Sequence, residues 1–292
     1  MPKKRSRGEL RLAATLLTPL FILIAIFIAF PLSYSFYLTF NDFSLRDLKA
    51  QFIGFENYLA LIKDPVFRTS LTHTVYFTVI SMAVGIPLAL GVALLLNEEF
   101  PGRSVARVCL LIPWALPPIV VAIMFSFMMN TSYGVINYIL KATGLTATSI
   151  PFFGDPKLAL NSLIIVNLWK VTPLYAIIFL SALQNIPVET VESAKVYGAN
   201  AWQRFRRITL PYIRPTIIVI AILTALLSLQ VFDIIISITY GGPGYNTYML
   251  YFYAYRSTFE FLDAGYGATI AYIVTLISVG FALAIIRYRK VT

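Results

Sequence analysis

The chain has 292 residues, of which 59% are hydrophobic and only 12% charged. An ordinary soluble domain carries about 25% charged residues, so this composition excludes a soluble globular protein and indicates a polytopic membrane protein. The formal net charge of +10 is not evidence for nucleic-acid binding, because basic loops are also expected as topology signals and as contacts with anionic lipid headgroups.

Six apolar runs are long enough to cross a hydrocarbon core about 30 Å thick, which needs about 20 helical residues. They cover roughly 12–39, 71–96, 108–129, 159–183, 212–238 and 265–286. Because these runs are longer than strands, the sequence predicts an all-α bundle of six transmembrane helices in one domain, 1–292, and not a barrel. The first run follows a basic start but is about twice as long as a signal-peptide core, so we expect an uncleaved span.

A polar, basic segment at 188–211 separates the fourth and fifth runs and is predicted to fold as helix, glycine turn and helix. Pro187 suits the first turn, Gly198 suits a left-handed helix end, and Asn200 with Gln203 resembles a capping box. Apolar and cationic side chains take different faces of the second helix, with Trp202, Phe205 and Ile208 against Arg204, Arg206 and Arg207. The segment suits a groove in a soluble partner or a lipid headgroup surface, and composition favours neither.

Lys and Arg are unevenly distributed between the loops, and cytoplasmic loops carry the excess. With a cytoplasmic N-terminus, fifteen of the 23 lie in inside loops and seven in outside loops, while Lys170 lies within a run. We therefore expect both termini and the segment 188–211 in the cytoplasm. The basic run from Lys3 to Arg7 is then a topology signal and not a nucleic-acid patch.

The sequence lacks the usual marks of catalysis. It has no GxxxxGK[ST] loop, and the lone His73 and lone Cys109 cannot form a metal cluster, a paired nucleophilic site or an intrachain disulfide. We expect no catalysis and no cofactor in this chain. Uphill transport would need an ion gradient or a separate ATPase, and the amphipathic segment 188–211 favours the ATPase.

The segment resembles the EAA loop of permease subunits of bacterial and archaeal ABC importers. The matching residues are Glu192, Ser193, Ala194, Gly198, Ala199, Phe205, Ile208, Leu210 and Pro211. Further stretches similar to the sugar-type permeases lie at 52–65, 88–123, 169–176, 183–187 and 232–247. Ser193 replaces the usual second Ala of EAA, and Tyr197 stands where an acidic residue often precedes the Gly. Within the family the chain is similar to the MalF-type subunit, without that protein's extra N-terminal spans.

This resemblance implies the type I importer permease fold, multi-pass in the cell membrane, with 188–211 as a coupling helix docked in a cleft of an ATPase. Glu192 would face a basic residue there. The implied partners are a second, MalG-like permease, two nucleotide-binding subunits that hold ATP and Mg, and an extracytoplasmic sugar-binding protein. The GGPG run at 241–244, with Asn246 and Thr247, matches the outer loop that would face this binding protein. The implied solute is a di- or oligosaccharide.

Polar groups within the runs mark a candidate solute path. Lys170 lies near mid-membrane, and Asp233 is the one acid within a predicted span. The two could pair structurally or line a shared cavity, and the sequence leaves both open. An ion-driven transporter using Lys170 and Asp233 as a relay is the alternative function, and a membrane-embedded enzyme is disfavoured.

The resemblance adds positions that match the sugar-contacting residues of the maltose permease. They are Trp114, Pro118, Asn167, Lys170, Val171, Leu174, Thr224 and Ser228. Trp114 would stack on a sugar ring or anchor a membrane interface, and Ser228 would bind hydroxyls or pack between helices. A lysine where a neutral residue would suffice for maltose favours a different solute that carries an anionic group.

Overall fold

The computed structural model describes the backbone of residues 7–291 and the side chains of 15–284 and Arg287. Residues 1–6, with most of the basic run expected to be a topology signal, lie outside the described residues. In chain order the helices are α1 (Arg7–Ile24), α2 (Phe30–Leu38), α3 (Glu56–Lys63), α4 (Pro65–Asn97), α5 (Arg103–Ala115), α6 (Pro118–Met128), α7 (Val135–Ala142), α8 (Ala159–Gln184), α9 (Val188–Val196), α10 (Ala201–Arg204), α11 (Leu210–Leu229), α12 (Asp233–Ile238), α13 (Leu250–Tyr255) and α14 (Ala264–Val291). Single π-helical turns occupy Ala25–Ala29, Phe205–Thr209 and Arg256–Glu260.

The predicted helical bundle is confirmed. Within the described chain, five helical stretches are long and apolar enough to cross a membrane, and α5 with α6 makes a sixth if the pair counts as one span. The chain divides into two compact units, Met1–Lys63 with Ala254–Tyr272 and Asp64–Tyr253 with Ile273–Thr292. A single domain over 1–292 stays a prediction.

The first unit contains the exposed apolar stretch Thr15–Leu38. It also contains a short β-hairpin, which the all-α prediction did not include. The strands β1 (Asn41–Phe43) and β2 (Ala50–Phe52) pair antiparallel, with Asn41 opposite Phe52. The Asn57 amide nitrogen donates to the carbonyl oxygens of Thr39 at 3.1 Å and Asn41 at 3.0 Å. This buried side chain joins α3 to the chain that enters the hairpin.

The core of the second unit lies between α4, α8 and α11. Small residues on α4, namely Gly85, Ala89 and Ala93, are fully buried, and a Cβ on Gly85 would lie 2.9 Å from the Leu168 Cδ2. Lipid tails are as apolar as the side chains, so the hydrophobic effect does not bring helices together within a bilayer. Small residues allow the helix backbones to approach closely, and this packing holds the helices together. The pattern explains why α4 and α8 pack together along their length.

The third span, predicted at 108–129, is broken in the middle. The chain forms two helices, α5 and α6, bent by 94° at Leu116 and Pro117. A proline disfavours the helical conformation in the residue before it, and both Leu116 (ψ 138°) and Pro117 (ψ 139°), each followed by a proline, are extended. The Pro117–Pro118 pair therefore breaks the helix.

The helices around the fifth run, predicted at 212–238, have other bounds. One helical run covers Ala201–Leu229, so Leu210 and Pro211 lie inside a helix and do not end a loop. The helix stops at Leu229, and α12 starts separately at Asp233. Pro211 follows the π-helical turn Phe205–Thr209, where the Leu210 N–H donates to the Phe205 carbonyl oxygen and the hydrogen-bond register of the helix changes.

Candidate functional site

The Lys170 side chain reaches from the middle of α8 to the break between α5 and α6. Its Nζ donates to the carbonyl oxygen of Leu116 at 2.7 Å and to that of Trp114 at 3.2 Å. The last carbonyls of a helix lack intrahelical partners and carry partial negative charge, so a cation there is favoured. Lys170 thus binds backbone, an outcome that neither sequence alternative included.

Asp233 lies close enough to Lys170 to act on it electrostatically, but the two form no ion pair. Asp233 is exposed in the first turn of α12, which packs against α6 and α8. Asp233, predicted within the fifth span, thus begins a separate short helix after α11 ends at Leu229.

The other path candidates divide into exposed and buried positions. Trp114 is 46% exposed, and Pro118, Lys170, Val171 and Leu174 are each partly exposed. Asn167 is buried at 7% exposure.

Thr224 and Ser228 on α11 are 1% and 2% exposed, so neither side chain reaches the surface of this chain. The Thr224 hydroxyl donates to the carbonyl oxygen of Ile220 at 2.8 Å. A Thr or Ser that bonds back to the preceding turn is a common way to satisfy a hydroxyl in an apolar helix. Their surroundings are those of small residues packed between helices.

The segment 188–211 has the local structure that was predicted. Gly198 has a left-handed backbone (φ +77°), and Asn200 and Gln203 form a complete capping box with bonds of 2.8 and 2.9 Å. Pro187 precedes the helix as its N-cap and does not lie in its first turn. Arg204 donates to the carbonyl oxygen of Ala199 at 2.7 Å and so bridges the turn.

The surface of this segment is open. Val196 and Tyr197 are 85% and 88% exposed, and Glu192, Ser193 and Gly198 are also exposed, while Ala194, Ala199 and Phe205 are partly buried. Trp202 is exposed and stacks on Phe205 with ring centroids 5.6 Å apart. An exposed patch that combines apolar, aromatic and acidic side chains is suited to a protein partner.

A cleft of about 880 Å³ lies behind this surface, where α4 and α8 end and α5 begins. The polar junction beside this cleft was not predicted from the sequence. Arg103 Nε and Arg107 Nη2 donate to the Leu96 carbonyl oxygen at 2.9 and 3.3 Å. The two arginines also face the Gln184 amide, and with its oxygen and nitrogen assigned to suit these donors, the oxygen accepts from Arg103 Nη2 at 3.2 Å and from Arg107 Nη2 at 2.9 Å. The junction ties the ends of three helices to the base of the segment 188–211.

The loop at 241–244 is a compact turn, as predicted. The Thr247 hydroxyl donates to the Gly242 carbonyl oxygen at 2.8 Å and lies 2.8 Å from the Thr239 hydroxyl oxygen. Gly241 has φ +84°, and a Cβ on it would lie 2.3 Å from the Tyr248 ring. Glycine is therefore required at 241 by backbone conformation and by space.

These features together define an integral membrane transport subunit of the permease class, with a helix break near mid-bundle and an exposed helix–turn–helix at one end. Residues 85–289 match the model of a protein family whose description is "Binding-protein-dependent transport system inner membrane component". The chain belongs to this family.

Two curated relatives and one solved structure show the same likeness. The chain is 38% identical over 272 residues to the sulfoquinovosyl glycerol transport system permease protein SmoG of Agrobacterium fabrum, covering 93% of this chain and 88% of that protein. It is 33% identical over 290 residues to the trehalose/maltose transport system permease protein MalF of Thermococcus litoralis, covering 99% and 97%. A chain in the crystal structure of a bacterial ABC transporter that imports the acidic polysaccharide alginate superposes with a TM-score of 0.84 at 25% identity, covering 96% of both chains.

Proposed function

We propose that this chain is a permease subunit of a binding-protein-dependent ABC importer of sugars. It forms the translocation path with a second, MalG-like permease, and an extracytoplasmic binding protein delivers the solute. Membership of the family supports the importer, and the names of the relatives and of the alginate transporter support a sugar of disaccharide size or larger. The chain itself performs no catalysis.

The open surface of α9 is the observation that carries the coupling role. Two ATPase subunits bind ATP and Mg, close on each other, and move the docked α9 as a rigid body, so that the spans alternate between inward and outward access. Glu192 and the exposed Tyr197 and Val196 contact the ATPase, and Gly198 ends the docked helix. Ser193, Ala194 and Ala199 shape the same helix and turn.

The proposed orientation places both termini and the segment 188–211 in the cytoplasm, on the charge distribution of the loops. The compact turn at 241–244 then lies outside, where the binding protein docks. The nearby Asn246 amide nitrogen donates to the Pro243 carbonyl oxygen at 2.9 Å, so the turn presents a defined shape.

The solute path is proposed to run along the exposed side of α8 and the break in the third span. Trp114 presents a flat apolar surface for the C–H face of a sugar ring. Pro118, Val171 and Leu174 line the same region, and Asn167 supplies hydrogen bonds at its margin. Thr224 and Ser228 support the path from behind, because both are buried.

An ion-driven transporter with a Lys170 and Asp233 relay has no observation in its favour. Lys170 donates to backbone carbonyls and is not in ion-pair contact with Asp233. A relay needs groups that exchange protons with each other or with solvent.

The test is sugar-stimulated ATP hydrolysis and uptake by the four-subunit complex and its binding protein in proteoliposomes. The panel holds neutral disaccharides, neutral oligosaccharides and their acidic counterparts. We expect uptake that requires ATP and the binding protein and that continues when an ionophore is added. Uptake that stops with the ionophore and ignores ATP would establish the ion-driven alternative.

A further inference from the structure

The break between α5 and α6 leaves backbone carbonyl groups that the chain cannot satisfy within the helix. In an α-helix the N–H of residue 118 would donate to the carbonyl of Trp114, but residue 118 is a proline and has no N–H. The Val120 N–H, which would serve Leu116, donates to Pro117 at 3.0 Å. Both carbonyls therefore need donors from elsewhere, and unsatisfied carbonyls are costly in a bilayer.

Lys170 supplies the donors for these two carbonyls. Its ammonium group has three N–H bonds, of which two point to Leu116 at 2.7 Å and Trp114 at 3.2 Å. The positive charge also complements the negative end of α5, and Asp233 compensates it in part from the start of α12. One side chain thus fixes where the first half of the broken span ends.

We propose that Lys170 is a positioning residue that holds the break between α5 and α6, and that it acts on the solute path through Trp114. This inference rests on the proposed importer function for its transport consequence, but its structural part stands without it. The Trp114 side chain is 46% exposed, while its own carbonyl is held by Lys170. Lys170 therefore fixes the backbone from which the exposed indole extends.

A contact between Lys170 and an anionic solute would have a different signature. Such a contact affects acidic sugars and leaves the break unchanged. A positioning residue affects every transported sugar, neutral or acidic, and its loss loosens the backbone at the break. Measuring the backbone and the sugar dependence together separates the two roles.

The structural measurement is the rate at which a cysteine at Ala122 reacts with a small thiol reagent in a Cys109→Ser background. Ala122 lies in α6, four residues after Pro118, and is fully buried, so a cysteine there reacts only when the backbone near the break opens. Lys170→Met should raise the rate about tenfold, because hydrogen bonds to a charged group are among the stronger ones that oppose local opening. Lys170→Arg keeps a cation with several N–H donors and should restore most of the protection. Lys141→Met, at an exposed lysine of α7, is the matched control and should match the wild type.

A double variant keeps the test valid if Lys170→Met alone expresses poorly. Lys170→Met can strand Asp233 without a neighbouring cation, so Lys170→Met with Asp233→Asn removes both charges and still leaves the carbonyls without a donor. A well-expressed double variant should label as fast as Lys170→Met. Wild-type labelling in either variant would overturn the proposal, and so would loss of protection in Lys170→Arg equal to that in Lys170→Met.

The transport measurement uses the same variants in the complete complex. Lys170→Met should lower the maximal uptake rate of neutral and acidic sugars alike while basal ATP hydrolysis stays near the wild type. A rise in KM confined to acidic sugars, with unchanged labelling at 122, would overturn positioning and establish a solute contact. Failure of the wild-type complex to import any sugar would overturn the proposed function, while the labelling result would still decide the role of Lys170.

Discussion

The Tyr253 hydroxyl donates a hydrogen bond of 2.5 Å to the Oδ2 of Asp64. The other carboxylate oxygen of Asp64 caps α4, accepting from the Val66 N–H at 2.8 Å. One carboxylate therefore both starts a 33-residue helix and fastens α13 to it. The Thr74 hydroxyl oxygen makes a second attachment, accepting from the Leu250 N–H at 2.9 Å.

Tyr253→Phe should lower the free energy of unfolding by about 1.5–3 kcal/mol, the usual range for a hydrogen bond to a charged group. The helix cap is expected to survive, because the Oδ1 of Asp64 keeps its partner. The measurement is the thermal midpoint of the purified protein in detergent. Tyr251→Phe is the control, since its exposed side chain lies on the same short helix. Equal midpoints for the two variants would contradict the assignment.

The coupling role of α9 predicts that Glu192→Lys and Gly198→Pro produce inserted but uncoupled protein. The lysine reverses a charge on the open surface, and proline cannot adopt the positive φ of +77° at residue 198. Co-purification of the ATPase subunits and uptake should both be lost. Glu56→Lys, a charge reversal at an exposed residue of α3, is the control. Normal uptake by both test variants would remove the coupling assignment.

The proposed orientation predicts which side of the membrane two positions face. Single cysteines at Asn246 and Trp202 in a Cys109→Ser background should differ in how far an impermeant thiol reagent labels them in intact cells. Label at 246 and none at 202 is expected, and permeabilised cells should label at both. Trp202 is 67% exposed, so burial within this chain does not protect it. The reverse pattern would overturn the orientation and the coupling model with it.

Stability near the start of α14 should depend on pH through Asp263. Burial raises the pKa of the Asp263 carboxyl above its usual value of 3.8; the hydrogen bond from the Tyr266 N–H lowers this pKa, and the Asp42 carboxylate raises it. The folded state then binds the proton more tightly than the unfolded state. The free energy of unfolding therefore falls as pH rises from about 3.8 through the raised pKa.

Asp263→Asn should remove this contribution while keeping the oxygen that accepts from the Tyr266 N–H at 2.9 Å. The thermal midpoints of variant and wild type should converge at low pH, and the variant should become relatively more stable as pH rises. Asp47→Asn, at an exposed residue of the same unit, is the control and should follow the wild type. Parallel pH profiles for all three proteins would contradict the prediction.

Local features of the segment 188–211 could be predicted because each depends on neighbours in the chain. A left-handed helix end needs only a residue like Gly198, and a capping box needs only Asn200 and Gln203 three residues apart. The break in the third span also had a local signal in Pro117 and Pro118 that the length of the apolar run concealed. The end of α11 at Leu229 had no comparable signal.

The partner of Lys170 could not be predicted from the sequence. Its acceptors are the backbone carbonyls of Trp114 and Leu116, and a carbonyl group is present at every residue, so no residue type marks the acceptor. Asp233 was the one acidic side chain that composition offered within a span, and the prediction therefore considered that pair. The burial of Thr224 and Ser228 likewise depends on packing around α11.

The amino-acid sequence by itself determined the membrane class, the helical bundle, the caps of the segment 188–211 and the resemblance to a family. These depend on hydropathy over about 20 residues and on neighbours within one or two helical turns. Only the tertiary structure decided that Lys170 satisfies a broken helix, that Thr224 and Ser228 are buried and that Arg103 and Arg107 meet at Gln184. Such contacts join residues distant in sequence, and the packing of the helices selects them from many chemically equivalent partners.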